Sequence, residues 1–228
     1  VTTNEKCDSL LRHRSPWMED VSLVIVDEVH LIGNDRGPTL EVALARLRQL
    51  KPDLQILALS ATIRNVDEVA DWLKAEWIET SWRPVPLKEG GALNDRIIFN
   101  DGSTKALKPL SRLDPINIAM NSVLDGGQSL IFVESRRRAQ SVAREAGNAL
   151  RGSHKKRAEV KLQEISSQTS ARGEKTRLSD DLASAVAGGA AFHHAGLSSA
   201  HRKIIETAFK EGWIKILSAT PTLAAGVN

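Results

Sequence analysis

Apolar and polar residues alternate in blocks along this chain, and the blocks have the lengths of strands and helices. Leu23-Val24-Ile25-Val26 is a continuous apolar run, mostly β-branched, that ends in the adjacent carboxylates Asp27 and Glu28. Such a run predicts a buried parallel strand delivering both acids to its carboxyl edge. From Pro38 to Leu50, apolar residues fall at Leu40, Leu44, Leu47 and Leu50, a helical stripe opened by a proline in its first turn. Lys51-Pro52-Asp53 breaks it, and Leu54 to Leu59 predicts a second buried strand ending in Ser60-Ala61-Thr62. Asn65 is placed to cap the next helix, with Asp67 and Glu68 in its first turn and Val66, Val69, Ala70 and Leu73 on its inner face.

The texture changes at Pro84. The Gly90-Gly91 pair and Ile97-Ile98-Phe99 before Asn100-Asp101-Gly102 predict a linker carrying a short β-hairpin, closed by Asp114-Pro115. Helix and strand then resume: a helix over Ile116 to Leu124, a strand over Gln128 to Val133 and a helix over Arg136 to Leu150. Gly152 to Arg177 is polar and basic with little periodicity, which predicts a mobile or loosely helical stretch. A short strand over Ala190 to Phe192, a serine-capped helix over Ser198 to Lys210 and a strand over Trp213 to Leu217 complete the chain. That last strand is expected to end in Ser218-Ala219-Thr220, echoing the Ser-Ala-Thr of the first half.

Strand–helix alternation of this kind argues for α/β architecture with parallel sheets covered by helices. The expected division is 1–84 as a first lobe, 85–115 as linker and 116–228 as a second lobe. At 228 residues, 41% hydrophobic and 26% charged, the composition is that of a globular protein. No apolar run approaches the roughly 20 residues that a membrane-spanning helix needs. A single cysteine, Cys7, allows no internal disulfide and no multi-cysteine metal site, which fits an intracellular protein. The net charge of +3 permits nucleic-acid binding without demanding it. Arg136-Arg137-Arg138 and the run Arg151, Lys155, Lys156, Arg157 and Lys161 suit either a solvated helical face or a phosphate track.

Asp27 and Glu28 at a strand's carboxyl edge suit nucleotide hydrolysis, one carboxylate holding Mg²⁺ on the phosphates and the other activating water. The same residues also fit a core strand running into a polar turn before Gly33-Asn34-Asp35. Their company along the chain decides between the two. Asp27-Glu28-Val29-His30, succeeded some thirty residues later by Ser60-Ala61-Thr62, resembles motifs II and III of superfamily 2 helicases. Leu130-Ile131-Phe132-Val133-Glu134-Ser135-Arg136 resembles motif IV. Phe192-His193-His194-Ala195-Gly196-Leu197-Ser198 and the stretch from Ala219 to Asn228 are similar to motifs IVa and V of the Ski-like branch. Thr3-Asn4-Glu5-Lys6 is similar to the Thr-Pro-Glu-Lys phosphate-contact motif, with Asn in place of Pro. Trp82-Arg83-Pro84-Val85-Pro86-Leu87 with a small hairpin after it resembles the archaeal Holliday-junction-migration repair helicases, relatives of the helicase part of DNA polymerase theta.

The resemblance implies two RecA-like lobes and an ATP-dependent 3′→5′ DNA helicase of DNA repair and replication-fork processing, monomeric and intracellular. ATP and Mg²⁺ are its implied cofactors, and single-stranded or forked DNA its partner. Asp27 would hold Mg²⁺ through water, and Glu28 would be the general base. His30 would link nucleotide and nucleic-acid sites, Ser60 and Thr62 would couple hydrolysis to strand movement, and Gly226 and Asn228 would lie near the nucleotide. Thr3, Ser135, Arg136 and Thr220 would contact backbone phosphates, positioning a strand without reading its sequence. A Ski-like RNA helicase and a non-catalytic fragment binding nucleic acid or a partner through residues 151–161 remain alternatives. The adjacent His193 and His194 do not suit zinc, because neighbours on a strand point opposite ways. Trp72 and Trp77 read as packing residues. The chain contains no Gly-x-x-x-x-Gly-Lys-Ser/Thr loop and no arginine-bearing motif VI. It is therefore expected to be a central helicase segment with negligible ATPase activity alone.

Overall fold

The computed structural model describes residues 1–33, 37–61, 63, 65–80, 82–171 and 176–223. Two compact units divide after Pro84, Val1–Pro84 and Val85–Asn228. Both are α/β with a parallel sheet and helices, the class the sequence predicts.

In the first unit, helices α1 (Asn4–Arg12), α2 (Gly37–Leu50) and α3 (Val66–Leu73) accompany strands β1 (Leu23–Val26) and β2 (Gln55–Ala58). The strands pair in parallel, Leu23 opposite Gln55 and Val26 opposite Ala58. Leu40, Leu44 and Leu47 of α2 meet Leu11, Val26, Val29 and Leu73 in one core. Asp8 ties α1 to α2 by accepting from Arg12 (2.6 Å) and Arg46 (2.9 Å). The Arg48 guanidinium donates to the carbonyls of Trp72 and Leu73 at the end of α3, supplying partners for groups that helix termini leave open. Asn65 does stand at the cap position, but its side-chain amide donates to Glu68 Oε2 (2.8 Å) and not to the helix backbone.

β1 and β2 are not buried on both faces as their apolar runs suggest. Leu23, Ile25 and Leu57 are 44%, 58% and 48% exposed, while Val26 lies in the core. Among the described residues the helices cover one face of this sheet only. Trp72 packs against the core as expected, whereas Trp77 is exposed.

The second unit begins with three antiparallel strands, β3 (Gly90–Leu93), β4 (Arg96–Phe99) and β5 (Thr104–Ala106). The sequence predicts a hairpin here. The third strand is only three residues long and mostly polar, too short to register as a run. At the β4–β5 turn, the hydroxyl and N–H of Ser103 and the ammonium of Lys88 hold the Asp101 carboxyl down to a pKa of about 2.

A parallel sheet comes next, in the order β6 (Ser129–Phe132), β8 (Ile216–Ala219), β7 (Ala190–His193), with helices α4 (Asp114–Leu124), α5 (Arg136–Leu150), α6 (Lys156–Ala171), α7 (Arg177–Ala187) and α8 (Ser199–Lys210). All four residues of β7 and of β8 are buried. β8 runs two residues beyond the predicted end. Ser218 and Ala219 are therefore inside the strand, while Ser60 and Ala61 come after β2 and are exposed. The two Ser-Ala-Thr tripeptides are not structural equivalents.

Residues 156–171 form a packed helix and not a loose segment. Leu162, Ile165 and Thr169 are buried on one face of α6. Ser166 Oγ donates to the Ala183 carbonyl of α7 (2.8 Å), and His201 Nε2 of α8 lies 3.0 Å from the Thr169 carbonyl. Leu162→Ala should cost about 2–5 kcal/mol in urea unfolding, the range for a fully buried leucine. A loss below about 1 kcal/mol would mean α6 is not part of the core. Where α5 meets the end of α7, the backbones touch: a Cβ on Gly188 would lie 2.3 Å from the Gly147 carbonyl oxygen, so only glycine fits.

Candidate functional site

The parallel pairing of β1 with β2 fixes the first candidate cluster. Beyond the strands, Leu59 N–H donates to the Val26 carbonyl (2.8 Å) and Val29 N–H to the Leu59 carbonyl (2.9 Å). These two bonds hold the turn Asp27-Glu28 beside Ser60. Glu28 adopts φ +56°, a left-handed conformation uncommon for this residue type and enriched at functional sites. Its N–H donates to Asp27 Oδ1 (2.9 Å). Its carboxylate Oε2 lies 3.2 Å from His30 Nε2, and the other ring nitrogen, Nδ1, is 3.5 Å from Ser60 Oγ. Asp27, Glu28, His30 and Ser60 thus form one bonded chain at the carboxyl edge of the sheet, where open α/β folds bind ligands. Thr62 lies outside the described residues, as do Gly226 and Asn228.

The cluster is open to solvent, with the Glu28 side chain 54% exposed and that of His30 29% exposed. Among the described residues no group of three or more His, Cys, Asp or Glu side chains converges on a common metal position. The adjacent carboxylates Asp27 and Glu28 suit Mg²⁺, which is commonly held by one or two carboxylates together with substrate phosphates. Asp27 Oδ1 accepts from the Glu28 N–H. Thr3 caps α1, its Oγ1 accepting from Lys6 N–H (3.3 Å). Cys7 is half-buried, and burial, then the neighbouring Asp8, raises its thiol pKa, which favours the protonated thiol at neutral pH.

In the second unit, parallel strands bring three segments to one carboxyl edge. Ser135 and Arg136 come after β6, His194 to Gly196 after β7, and Thr220 after β8. Val133 N–H donates to the Ala219 carbonyl (2.9 Å) and Thr220 N–H to the His193 carbonyl (3.2 Å), which extends the sheet to this rim. Ser135 caps α5, its Oγ accepting from Arg138 N–H (3.2 Å), and Arg136 is exposed on the first turn. Thr220 is only 8% exposed, so it is a less open contact than Ser135 or Arg136.

The two histidines have separate structural duties. His193 Nε2 is 2.8 Å from Glu206 Oε1 of α8. His194 is buried, stacked on Phe192 with centroids 5.4 Å apart. Its Nδ1 accepts from Gly196 N–H (3.1 Å), and its Nε2 lies 3.1 Å from Gln140 Nε2 on α5. Burial, then Arg136 and His193, lowers the His194 pKa and keeps the ring neutral at pH 7. A side chain on Gly196 would crowd the His194 ring at 3.1 Å and lie 3.6 Å from Arg136 Nη1. Gln140 is invisible to motif reading, because a lone amide on a helix has no spacing to mark it.

Residues 1–69 match the family model described as DEAD/DEAH box helicase. The whole chain is similar to proteins named ATP-dependent DNA helicase Hel308. It is 41% identical over 230 residues to that of Methanocaldococcus jannaschii, covering 19% of the relative. It is 43% identical over 235 residues to that of Pyrobaculum calidifontis, covering 32%, and 40% identical over 230 residues to that of Methanocella arvoryzae, covering 31%. The chain spans between about a fifth and a third of the length of these relatives.

Proposed function

We propose, for a chain that belongs to the Hel308-type, Ski-like helicases, that it carries the hydrolytic carboxylates and part of the nucleic-acid grip of an ATP-dependent, 3′→5′ DNA helicase. The observation that carries this reading is the linked set Asp27, Glu28, His30 and Ser60 at the edge of β1 and β2. Asp27 is the residue to hold Mg²⁺ through water. Mg²⁺ held there would supply charge neutralisation at a bound triphosphate. Glu28 takes a proton from the attacking water, and His30 steadies its carboxylate. Ser60, bonded to His30, passes a change at the carboxylates to the loop after β2, together with Thr62.

Ser135, Arg136, Thr220 and Thr3 are the backbone-phosphate contacts in this reading. Hydroxyls and a guanidinium bind phosphate without base selectivity. Gly226 and Asn228 are the nucleotide contacts that the resemblance to motif V implies. Action at forked DNA in repair, as a monomer inside the cell, extends the same reading.

The test uses the intact protein of which this sequence is part, with ATP, Mg²⁺ and labelled duplexes. Unwinding of a 3′-tailed DNA duplex, without unwinding of a 5′-tailed one, is expected. Preferential unwinding of RNA duplexes would transfer the chain to the RNA-directed Ski-like helicases. The 228 residues alone should turn over ATP at background, because the sequence holds no Gly-Lys-Ser/Thr phosphate loop. A Glu28-dependent, DNA-stimulated rate from those 228 residues would contradict that expectation.

A further inference from the structure

A cavity of about 420 Å³ opens between α5 and α7, and its walls carry Arg137, Arg144 and Arg177. Arg137 and Arg144 are seven residues apart on α5, two turns along one face. Arg177 opens α7, directly after the Thr176 cap. Among the described residues none of these three guanidiniums makes an ion pair or a side-chain hydrogen bond. One carboxylate, Asp181, shares the cavity, which leaves an excess of two positive charges.

We propose that this cavity binds phosphates of a single-stranded nucleic-acid backbone. Three cations drawn to one concave surface repel one another unless an anion joins them, and guanidinium forks match phosphate oxygens in pairs. Two turns of helix span about 10 Å. Arginines spaced so along a helix suit successive phosphates of a strand. The cavity also adjoins the carboxyl rim of the second sheet. Arg137 is the neighbour of Arg136, and Gln140, on the cavity wall, bonds His194 of the turn that holds Gly196. The inference rests on the helicase reading and adds to it a phosphate site outside the motifs.

The test is anisotropy of a fluorescein-labelled oligodeoxythymidine titrated with the 228-residue chain across a sodium chloride series. Arg137→Gln, Arg144→Gln and Arg177→Gln should each weaken binding and flatten the plot of log affinity against log salt by about 0.7, the value for one phosphate contact on a single strand. Lys210→Gln, an equal charge change in the last turn of α8, should leave the slope as it was. Unchanged slopes in the three cavity variants, or no binding by the unaltered chain, would overturn the inference. So would displacement of the oligonucleotide by inorganic phosphate at constant ionic strength, lost in Arg144→Gln, which reassigns the cavity to free phosphate. Loss of affinity in Arg136→Gln with the cavity variants unaffected refutes the cavity alone and leaves the helicase reading intact.

Discussion

Glu28→Gln in the intact protein is expected to lower DNA-stimulated ATP turnover by about 10²–10⁴-fold, the usual worth of a positioned general base. Glutamine keeps the length of the side chain and its bond to His30 but cannot accept the proton of the attacking water. Nucleotide affinity should hold, since the proposed Mg²⁺ contact is Asp27 and not Glu28. The left-handed backbone at residue 28 is set by Asp27 Oδ1 and the Leu59–Val26 and Val29–Leu59 bonds, none of which the substitution touches. Steady-state hydrolysis with a fluorescent nucleotide titration separates the two effects. If turnover fell by less than about fivefold, another group would be the base, because the loss would lie below the range that proton transfer contributes.

Phe192→Ala should cost about 3–5 kcal/mol of stability, the range for truncating a buried aromatic in a core. Phe192 is among the largest fully buried side chains and packs with Leu182, Val186, Ile205 and Leu217. It is also the plate on which His194 stacks. Urea unfolding of the 228-residue chain monitored by tryptophan fluorescence gives the difference, with the dependence on urea unchanged if the denatured state is unaltered. A cost under about 1 kcal/mol would show that β7 tolerates a void at its centre, contrary to the close packing of interiors.

The strands are legible where apolar residues run together, as at Leu23–Val26 and Leu130–Val133. Helix α5 matches its expected bounds because Ala139, Val142, Ala143, Ala146 and Leu150 repeat at helical spacing. α6 is hard to see in the sequence because its buried face uses two aliphatic residues and a threonine amid basic and polar neighbours. α7 carries a usable signal, since Thr176 and Ser179 form a capping box ahead of Leu178, Leu182, Ala185 and Val186. At the candidate site, the order of the acids and the histidine is enough to mark them. The backbone turn at Glu28 and the bonds from His30 to Glu28 and Ser60 are tertiary facts, since residues 30 positions apart meet only once β1 and β2 pair.

Coverage of the first sheet on a single side leaves part of a strand pair facing water. Among the described residues, Leu23, Ile25 and Leu57 make a greasy surface that favours self-association. The second sheet is guarded at β7 and β8, where every residue is buried, but its outer strand β6 shows Leu130 and Phe132, 42% and 48% exposed. Cleavage after Pro84 would therefore release two pieces that each carry a sticky strand, and sedimentation of the products would register their clumping directly.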